Sequence, residues 1–443
     1  MRWFHPGRRQ KLRAMLQHDR LAGQTLLVFG LKILNAGASF GLSLLIARAF
    51  GASGSGYFGI CVTTVTVMSY VVLSGLDYTV LRIASGDLRE GEHAKARGVV
   101  VAACRILAVT APVAAIAIFL SARWLSEMVL QQPAVASLLG IMIIGVVPLA
   151  FQRIASTALR AMGKTFTSQL IDGPLGTSFA FLGVVVVLLL PMPVDLNLPG
   201  ALYVAGMSIG AAVGWTVYAR AMRGRPAAAR VAWLPLIVAG LPILAVNLSN
   251  VFTEWYTTIS LGRYWPAEVV GQYRVAWQFV AIAGLVQIAM ETIVGPRIAA
   301  AARVGAKDEI VAVARKSIML ALLLSAPIFL VLMIFPERLL SIFGPEFRAG
   351  VPVLRILAVG QLFRLVSGPL GSIIVMTGAQ RWSLTYTGTS VVLCIVLVAW
   401  LVPTYGAVGA AVATTATVIV RNLMGGIIVA KVLKIDLFRW RRS

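Results

Sequence analysis

The chain has 443 residues, 59% of them apolar and 12% charged, with a mean hydropathy of +0.88 and a formal net charge of +23. A soluble domain carries about 25% charged residues because its surface faces water, so a soluble globular fold is excluded and most of this surface is expected to face hydrocarbon. The basic residues sit between long apolar runs and not on one soluble face, which excludes nucleic acid and makes the lipid bilayer the first partner.

In chain order, a basic segment over 1–23 carries Arg2, Arg8, Arg9, Lys11, Arg13 and Arg20 against Asp19 alone. The apolar run after it is long enough to span a membrane and reads as an uncleaved first helix, with no signal peptide ahead of it. Apolar stretches of about 20 residues, the length that crosses the hydrocarbon core, recur at 24–47, 57–81, 99–121, 137–160, 166–190, 198–220, 234–260, 271–294, 315–335, 351–376, 384–402 and 407–430. In lipid every backbone group must bond internally, so each stretch is expected to be helical. The alternating strands of a membrane barrel are absent from the pattern. The fold class is therefore all-α integral membrane, with about twelve transmembrane helices. A basic tail fills 431–443.

Charge sets the topology. With the N-terminus inside, the external loops hold Arg48, Arg123, Arg263, Arg338 and Arg348, seven basic residues lie within predicted spans, and the remaining 27 of the 39 Lys and Arg fall on the cytoplasmic side. That bias predicts cytoplasmic termini and an even number of spans.

A faint duplication runs through the chain at a step of 215 residues. Ala111-Pro112 recurs as Ala326-Pro327, Arg123 as Arg338, Leu125-Ser126 as Leu340-Ser341, Gly145 as Gly360 and Gly163 as Gly378; Asn35 maps onto Asn250 and Arg48 onto Arg263. One ungapped offset that superposes spans, loops and a proline divides the chain into lobes of six spans, 24–220 and 234–430, joined by a cytoplasmic linker over 221–233. Six is even, so both halves enter the membrane alike. This parallel repeat places a substrate path between the lobes.

Cys61, Cys104 and Cys394 fall inside apolar segments and read as small packing residues, and His5, His18 and His93 lie in polar stretches. No metal site, cofactor or catalytic cluster is expected, and the chain reads as a transporter and not an enzyme.

Several loops resemble those of the MOP (multidrug/oligosaccharidyl-lipid/polysaccharide) superfamily. Leu45–Gly51, reading LIARAFG, followed by Gly56 and Tyr57, resembles the segment after the first span of its polysaccharide exporters. Leu261-Gly262-Arg263 and then Val270–Ala276 (VGQYRVA) are similar to the turn entering span eight. Ile342–Phe347 (IFGPEF) with Val353–Ala358 (VLRILA) resembles the loop entering span ten, and Tyr405–Ala411 (YGAVGAA) the start of the last span. The resemblance implies a MOP-like fold of two six-helix lobes around a central cavity. It also implies membership of the branch that flips polyprenyl-diphosphate-linked sugars, an O-antigen flippase type. The lipid II flippases of the superfamily usually carry fourteen spans; twelve favour O-antigen or exopolysaccharide repeat units as cargo. A bacterial inner-membrane location is implied, alongside a polysaccharide polymerase or export complex.

Charges within the spans mark the site, because each costs about 2.5–3.5 kcal/mol at the bilayer centre on insertion scales. The basic set is Lys32, Arg105, Arg153, Arg274, Arg355, Arg364 and Arg421, against Asp77, Asp172, Glu254 and Glu291. The cationic surplus suits a diphosphate, which guanidinium binds in bidentate fashion. Lys32, Arg153, Arg274 and Arg364 are the candidate substrate-binding residues; each is weighed against an ordinary interhelix salt bridge, and Arg274 and Arg355 also against snorkelling. Arg105 lies near a span end, where snorkelling is the plainer account. Glu254 and Glu291 are candidate ion-coupling carboxylates or fixed partners of the arginines. Asp77 and Asp172 are expected to pair with Arg82 and Lys164. Trp255, Tyr256, Tyr264, Trp265, Tyr273 and Trp277 cluster near the external boundary, as an interfacial belt or as stacking faces for sugar rings. Gly173-Pro174, Gly240 with Pro242, and Gly368-Pro369 are candidate helix breaks.

The function these observations favour is a flippase carrying an anionic lipid-linked oligosaccharide to the outer leaflet by alternating access. The alternatives are a cation-coupled multidrug exporter, for which Lys32 stands where a carboxylate would be wanted, and a membrane-embedded glycan ligase or polymerase, which would need longer external loops and catalytic groups.

Overall fold

The computed structural model describes residues 6–190 and 195–435, with side chains described from Leu27 onward save a few positions that include Asn250. All side chains of the basic N-terminal segment, and the tail from 436, thus lie outside the described residues. Among the described residues all regular secondary structure is helical: α1 (Pro6–Leu73), α2 (Leu76–Arg89), α3 (His93–Trp124), α4 (Val135–Ile143), α5 (Val146–Ala161), α6 (Thr165–Ile171), α7 (Pro174–Leu189), α8 (Asn197–Ala221), α9 (Trp233–Tyr264), α10 (Ala267–Arg303), α11 (Lys307–Ile334), α12 (Pro336–Ser341), α13 (Val351–Ser367), α14 (Leu370–Met376) and α15 (Gln380–Ile427).

Among the described residues nine segments are long and apolar enough to cross a membrane, and α9 is a tenth, bent by 44° between Ser249 and Val251. Two of the ten are double. Gly51 (φ 67°, ψ −168°) interrupts α1 and Gly406 (φ 54°, ψ −132°) interrupts α15. A β-carbon on Gly409 would run into the carbonyl of Leu401, eight residues back, so the chain folds on itself there. Twelve spans result, and the protein is a multi-pass membrane protein. Many large apolar side chains, Leu120, Leu323 and Trp400 among them, are exposed where water-soluble proteins present charge.

At Gly406 an L-residue is disfavoured and the indole ring of Trp265 lies 3.0 Å from where its β-carbon would stand. Gly406→Ala is therefore expected to destabilise the protein by about 1–3 kcal/mol, read as a lower midpoint in thermal unfolding of the detergent-solubilised chain. An unchanged midpoint would mean that the turn adapts without strain.

The first lobe packs α1 against α7, α5 against α8 and α2 against α3 and α5; the second packs α10 against α11 and α13, and α15 against α9 and α13. Between lobes, α1 lies along α9 and α10, and α2 touches α9. The duplication has a geometric counterpart. A β-carbon on Gly56 would overlap the carbonyl oxygen of Ala267, and one on Gly271 would overlap that of Ala52. Ala52 and Ala267, like Gly56 and Gly271, stand 215 residues apart, so each lobe offers its glycine to the other's carbonyl across a local two-fold axis. Ser53 Oγ donates to Glu268 Oε1 at 3.2 Å across the same axis and at the same step.

Two expected breaks occur where expected: Gly173-Pro174 separates α6 from α7, and Gly368-Pro369 separates α13 from α14. The third does not. Helix α9 runs through Gly240 and Pro242 and bends only near residue 250, because a membrane helix tolerates the lost proline hydrogen bond when neighbouring helices pack around it. Gly240 serves a different purpose: its Cα lies against the backbone at Ser74 and Gly75, so closely that a side chain at Gly75 or Gly240 would strike the other strand's carbonyl.

Candidate functional site

Between the lobes lies a chamber of about 260 Å³. Ser39 and Ser43, one turn apart on α1, form one wall with Ser55 and Phe58 from beyond the Gly51 turn; Thr177 of α7 and Tyr203 of α8 complete the first-lobe side. The second lobe contributes Glu254 from α9 and Arg274, Trp277 and Gln278 from α10. Arg274 Nη1 donates to Glu254 Oε1, and both side chains are partly buried. Leu42, Ile46, Val62 and Ala281 complete the lining, so the surface is mainly apolar, with hydroxyls, aromatic rings and one ion pair set into it.

The lobes touch on either side of this chamber. Towards the face opposite the chain ends, the Gly56–Gly271 crossing is joined by Gln132 Nε2, which donates to the carbonyls of Gly262 (2.6 Å) and Trp265 (3.0 Å). Arg48 Nε donates to Ile342 O at 2.6 Å, again from one lobe to the other. Towards the face bearing the chain ends, the Gly75–Gly240 backbone contact lies between them. Trp255 Nε1 donates to Thr64 Oγ1 at 3.2 Å, a further link across the seam. On the face with the chain ends, the interlobe segment is strapped to the first lobe: Ala229 N donates to Ala94 O at 2.9 Å, and Arg225 Nη1 lies 2.6 Å from His93 Nε2.

The candidate residues fall into three groups. Arg274 and Glu254 meet in the interlobe chamber. Lys32 and Arg153 belong to a charge cluster within the first lobe, where Asp172 lies within electrostatic range of Arg153, Arg160, Lys32 and Asp77. Arg160, and not Lys164, pairs with Asp172, at 3.7 Å, since α5 and α6 run past each other and bring residue 160 alongside residue 172. The Arg153 guanidinium lies 4.2 Å from the Tyr70 ring centre, a cation–π geometry. Arg364 and Glu291 line a separate cavity in the second lobe with Arg421. Arg105 and Arg355 are exposed on the outside of the bundle.

The sequence model of the polysaccharide biosynthesis protein family matches residues 21–302, more than half of the chain. The chain belongs to that family. A second model, MatE, matches residues 242–401, and the two matches together place the chain in the MOP superfamily. It is similar to the probable low-salt glycan biosynthesis flippase Agl15 of Haloferax volcanii, 28% identical over 179 residues; the match spans 40% of this chain and only 38% of that relative's length. Its fold is that of an inward-facing multidrug resistance MATE family transporter of the MOP superfamily (TM-score 0.73, 12% identity, 90% of this chain and 96% of the other). It is equally that of the lipid II flippase MurJ in an inward closed conformation (TM-score 0.73, 13% identity, 93% and 90%). The MOP-like architecture implied by the loop motifs is the observed one.

The aromatic cluster divides by role. Trp265 Nε1 donates to Val402 O at 2.8 Å, Tyr273 is fully buried, and Tyr256 stacks on Phe252 at 5.8 Å. Trp277 alone of the six presents itself to the interlobe chamber. Tyr203 and the serines of α1 were not singled out by sequence. The one available signal was Ser39 and Ser43 at helical spacing, which a helix buried in protein uses equally for backbone hydrogen bonding.

Proposed function

We propose that the chain is a flippase that moves an anionic polyprenyl-diphosphate-linked oligosaccharide, an O-antigen or exopolysaccharide repeat unit, from the cytoplasmic to the outer leaflet. In this reading the face bearing the chain ends is cytoplasmic, the membrane is the bacterial inner membrane, and the lobes comprise residues 24–220 and 234–430. The observation that carries it is the interlobe chamber, where Arg274 stands beside an indole and several hydroxyls. A guanidinium recognises phosphate, an aromatic face packs on a sugar ring, and hydroxyls replace the water that a glycan sheds. Arg274 is paired with Glu254; in this reading a phosphate takes Glu254's place, so the carboxylate compensates the partly buried cation whenever cargo is not bound. Lys32 and Arg153 of the first-lobe cluster supply positive potential on the cytoplasmic approach. The flippase named in the Haloferax relative and the lipid II flippase among the structural neighbours support this reading.

Deleting the gene is expected to leave a lipid-linked glycan accumulating on the cytoplasmic leaflet, detected by mass spectrometry of extracted polyprenyl lipids. No accumulation in the deletion strain would overturn the assignment. The second reading, a cation-coupled multidrug exporter, draws on Glu254 within the chamber and on the MatE match over 242–401. It predicts drug sensitivity of the deletion strain with a normal lipid-linked glycan pool.

A further inference from the structure

Helix α9 stops where its last turn lacks donors. Trp265 is extended (φ −135°, ψ 153°), and the N–H that a continuing helix would bring to Gly262 O belongs to position 266, where Pro266 has none. Trp265 O is short of a donor for a related reason, since the N–H of Val269 goes to Pro266 O at 3.0 Å instead. Both carbonyls are met from the other lobe. Gln132 Nε2 donates to Gly262 O at 2.6 Å and to Trp265 O at 3.0 Å. An amide nitrogen carries two N–H groups, so this one side chain supplies both missing donors, and the two carbonyl acceptors fix which end of the amide is nitrogen.

The turn that carries Gln132 holds it in place. Gln131 lies in the left-handed region (φ 54°), Gln132 N donates to Ser126 O at 2.8 Å, and Val135 N donates to Gln132 O at 3.0 Å. Leu130 packs against Gly262, where a β-carbon would stand 3.3 Å from it. The step of 215 residues shows that the arrangement is one-sided. Pro266 corresponds to Gly51, which keeps its N–H while α1 runs on through it. Gln132 corresponds to Phe347, which is fully buried and has no donor in its side chain. The lobe whose turn lacks donors is the one that receives them.

We infer that Gln132 is the latch of the face opposite the chain ends: its amide closes that face over the interlobe chamber and releases the two carbonyls to water when the lobes part there. The energetics suit a latch that opens in every cycle. Two bonds between neutral groups each give a modest gain, while Gln132 Oε1 is buried with no hydrogen-bond partner, a loss of the same order. Parting the lobes lets water reach all of these groups. The closed and open states of this face are therefore near balance, and a small difference in cargo contacts between them tips it. Arg48 on Ile342 O and Ser53 on Glu268 cross the same face with one bond each. Gln132 crosses it with two. The inference rests on the alternating-access part of the flippase reading and not on its cargo.

The test uses the full chain carrying Ser43→Cys, a position that lines the interlobe chamber. A membrane-impermeant maleimide is added to intact cells and, separately, to inside-out vesicles; in the orientation of the flippase reading, intact cells expose the latch face. Gln132→Glu removes both donors and sets a charge against two carbonyl oxygens. It is expected to speed labelling about tenfold in intact cells and to slow it in inside-out vesicles. Gln132→Lys offers charge-assisted donors and no acceptor to bury unmatched, so labelling is expected about threefold slower in cells and faster in vesicles. Loosened packing alone does not produce opposite shifts on the two sides. Thermal unfolding of each purified variant identifies any that has not folded; Gln132→Met, which offers no donor, is then compared with wild type and is expected to follow Gln132→Glu at a smaller factor. A reversal of all these shifts would uphold the latch and invert the orientation. Equal rates among folded variants, or Glu and Lys shifting labelling the same way, would overturn it. The flippase reading would stand in that case, because it is tested by glycan accumulation; conversely, the expected shifts with no glycan accumulation in the deletion strain would keep the latch and remove the flippase reading.

Discussion

Replacing Arg274 with methionine is expected to lower glycan export about a hundredfold. Two charge-assisted hydrogen bonds from a guanidinium to a phosphate, at roughly 1.5 kcal/mol or more each, amount to about that factor when each 1.4 kcal/mol is tenfold. The single variant carries a second cost, because Glu254 is left partly buried without its cation; breaking such a pair costs up to about 3–5 kcal/mol when burial is complete and less here. The double variant Arg274→Met with Glu254→Gln removes both charges together. It is expected to recover most of the thermal stability and none of the export. Measuring unfolding and export on the same preparations separates the two effects. Export restored in the double variant would show that Arg274 serves only to balance Glu254, and the phosphate-binding role would be withdrawn.

The second large effect is expected at the crossing of α1 and α10. Gly271→Leu places a branched side chain where the Ala52 carbonyl oxygen now lies, and neither backbone can withdraw without parting the lobes on the face opposite the chain ends. Because both glycines meet carbonyls across the local two-fold, Gly56→Leu is expected to act alike by pushing on Ala267. Either variant should hold that face open, cutting export at least tenfold, since alternating access requires each face to close in turn. Ser43, inside the chamber, supplies the reporter: Ser43→Cys should react with a membrane-impermeant maleimide at least tenfold faster in the Gly271→Leu background. The natural cysteines give little competing signal, as Cys61 and Cys394 are buried and Cys104 is partly so. Unaltered labelling together with normal export would mean that the crossing is a packing contact with no part in closure.

These expectations rest unequally on sequence and on structure. The number of spans was legible because hydrocarbon admits only internally bonded backbone, which imposes a length on every apolar run. The repeat was legible because the same offset carried a proline, glycines and arginines together; the reciprocal contacts of Gly56 with Ala267 and Gly271 with Ala52 then gave that offset a geometric meaning. The helix breaks at Gly173 and Gly368 were legible from glycine followed by proline. The break expected at Pro242 was not found, since whether a proline bends a buried helix depends on neighbours that the local sequence does not contain.

The candidate site was legible as a set of charges but not as an arrangement. Composition alone marked Lys32, Arg153, Arg274 and Arg364 as costly, because a cation in lipid must be compensated wherever it is placed. Which compensation each one found was decided by packing. Tertiary structure put Glu254 opposite Arg274, gathered Lys32 and Arg153 around Asp172, and set Arg364 beside Arg421 and Glu291 in another chamber. One-dimensional spacing places residues on a face of their own helix, whereas a binding chamber is made by faces of different helices, and their meeting depends on how six-helix lobes pack and how two lobes touch. The membrane, the helices and the need for charge compensation were therefore properties of the sequence; the division of those charges between two chambers and one cluster belonged to the fold.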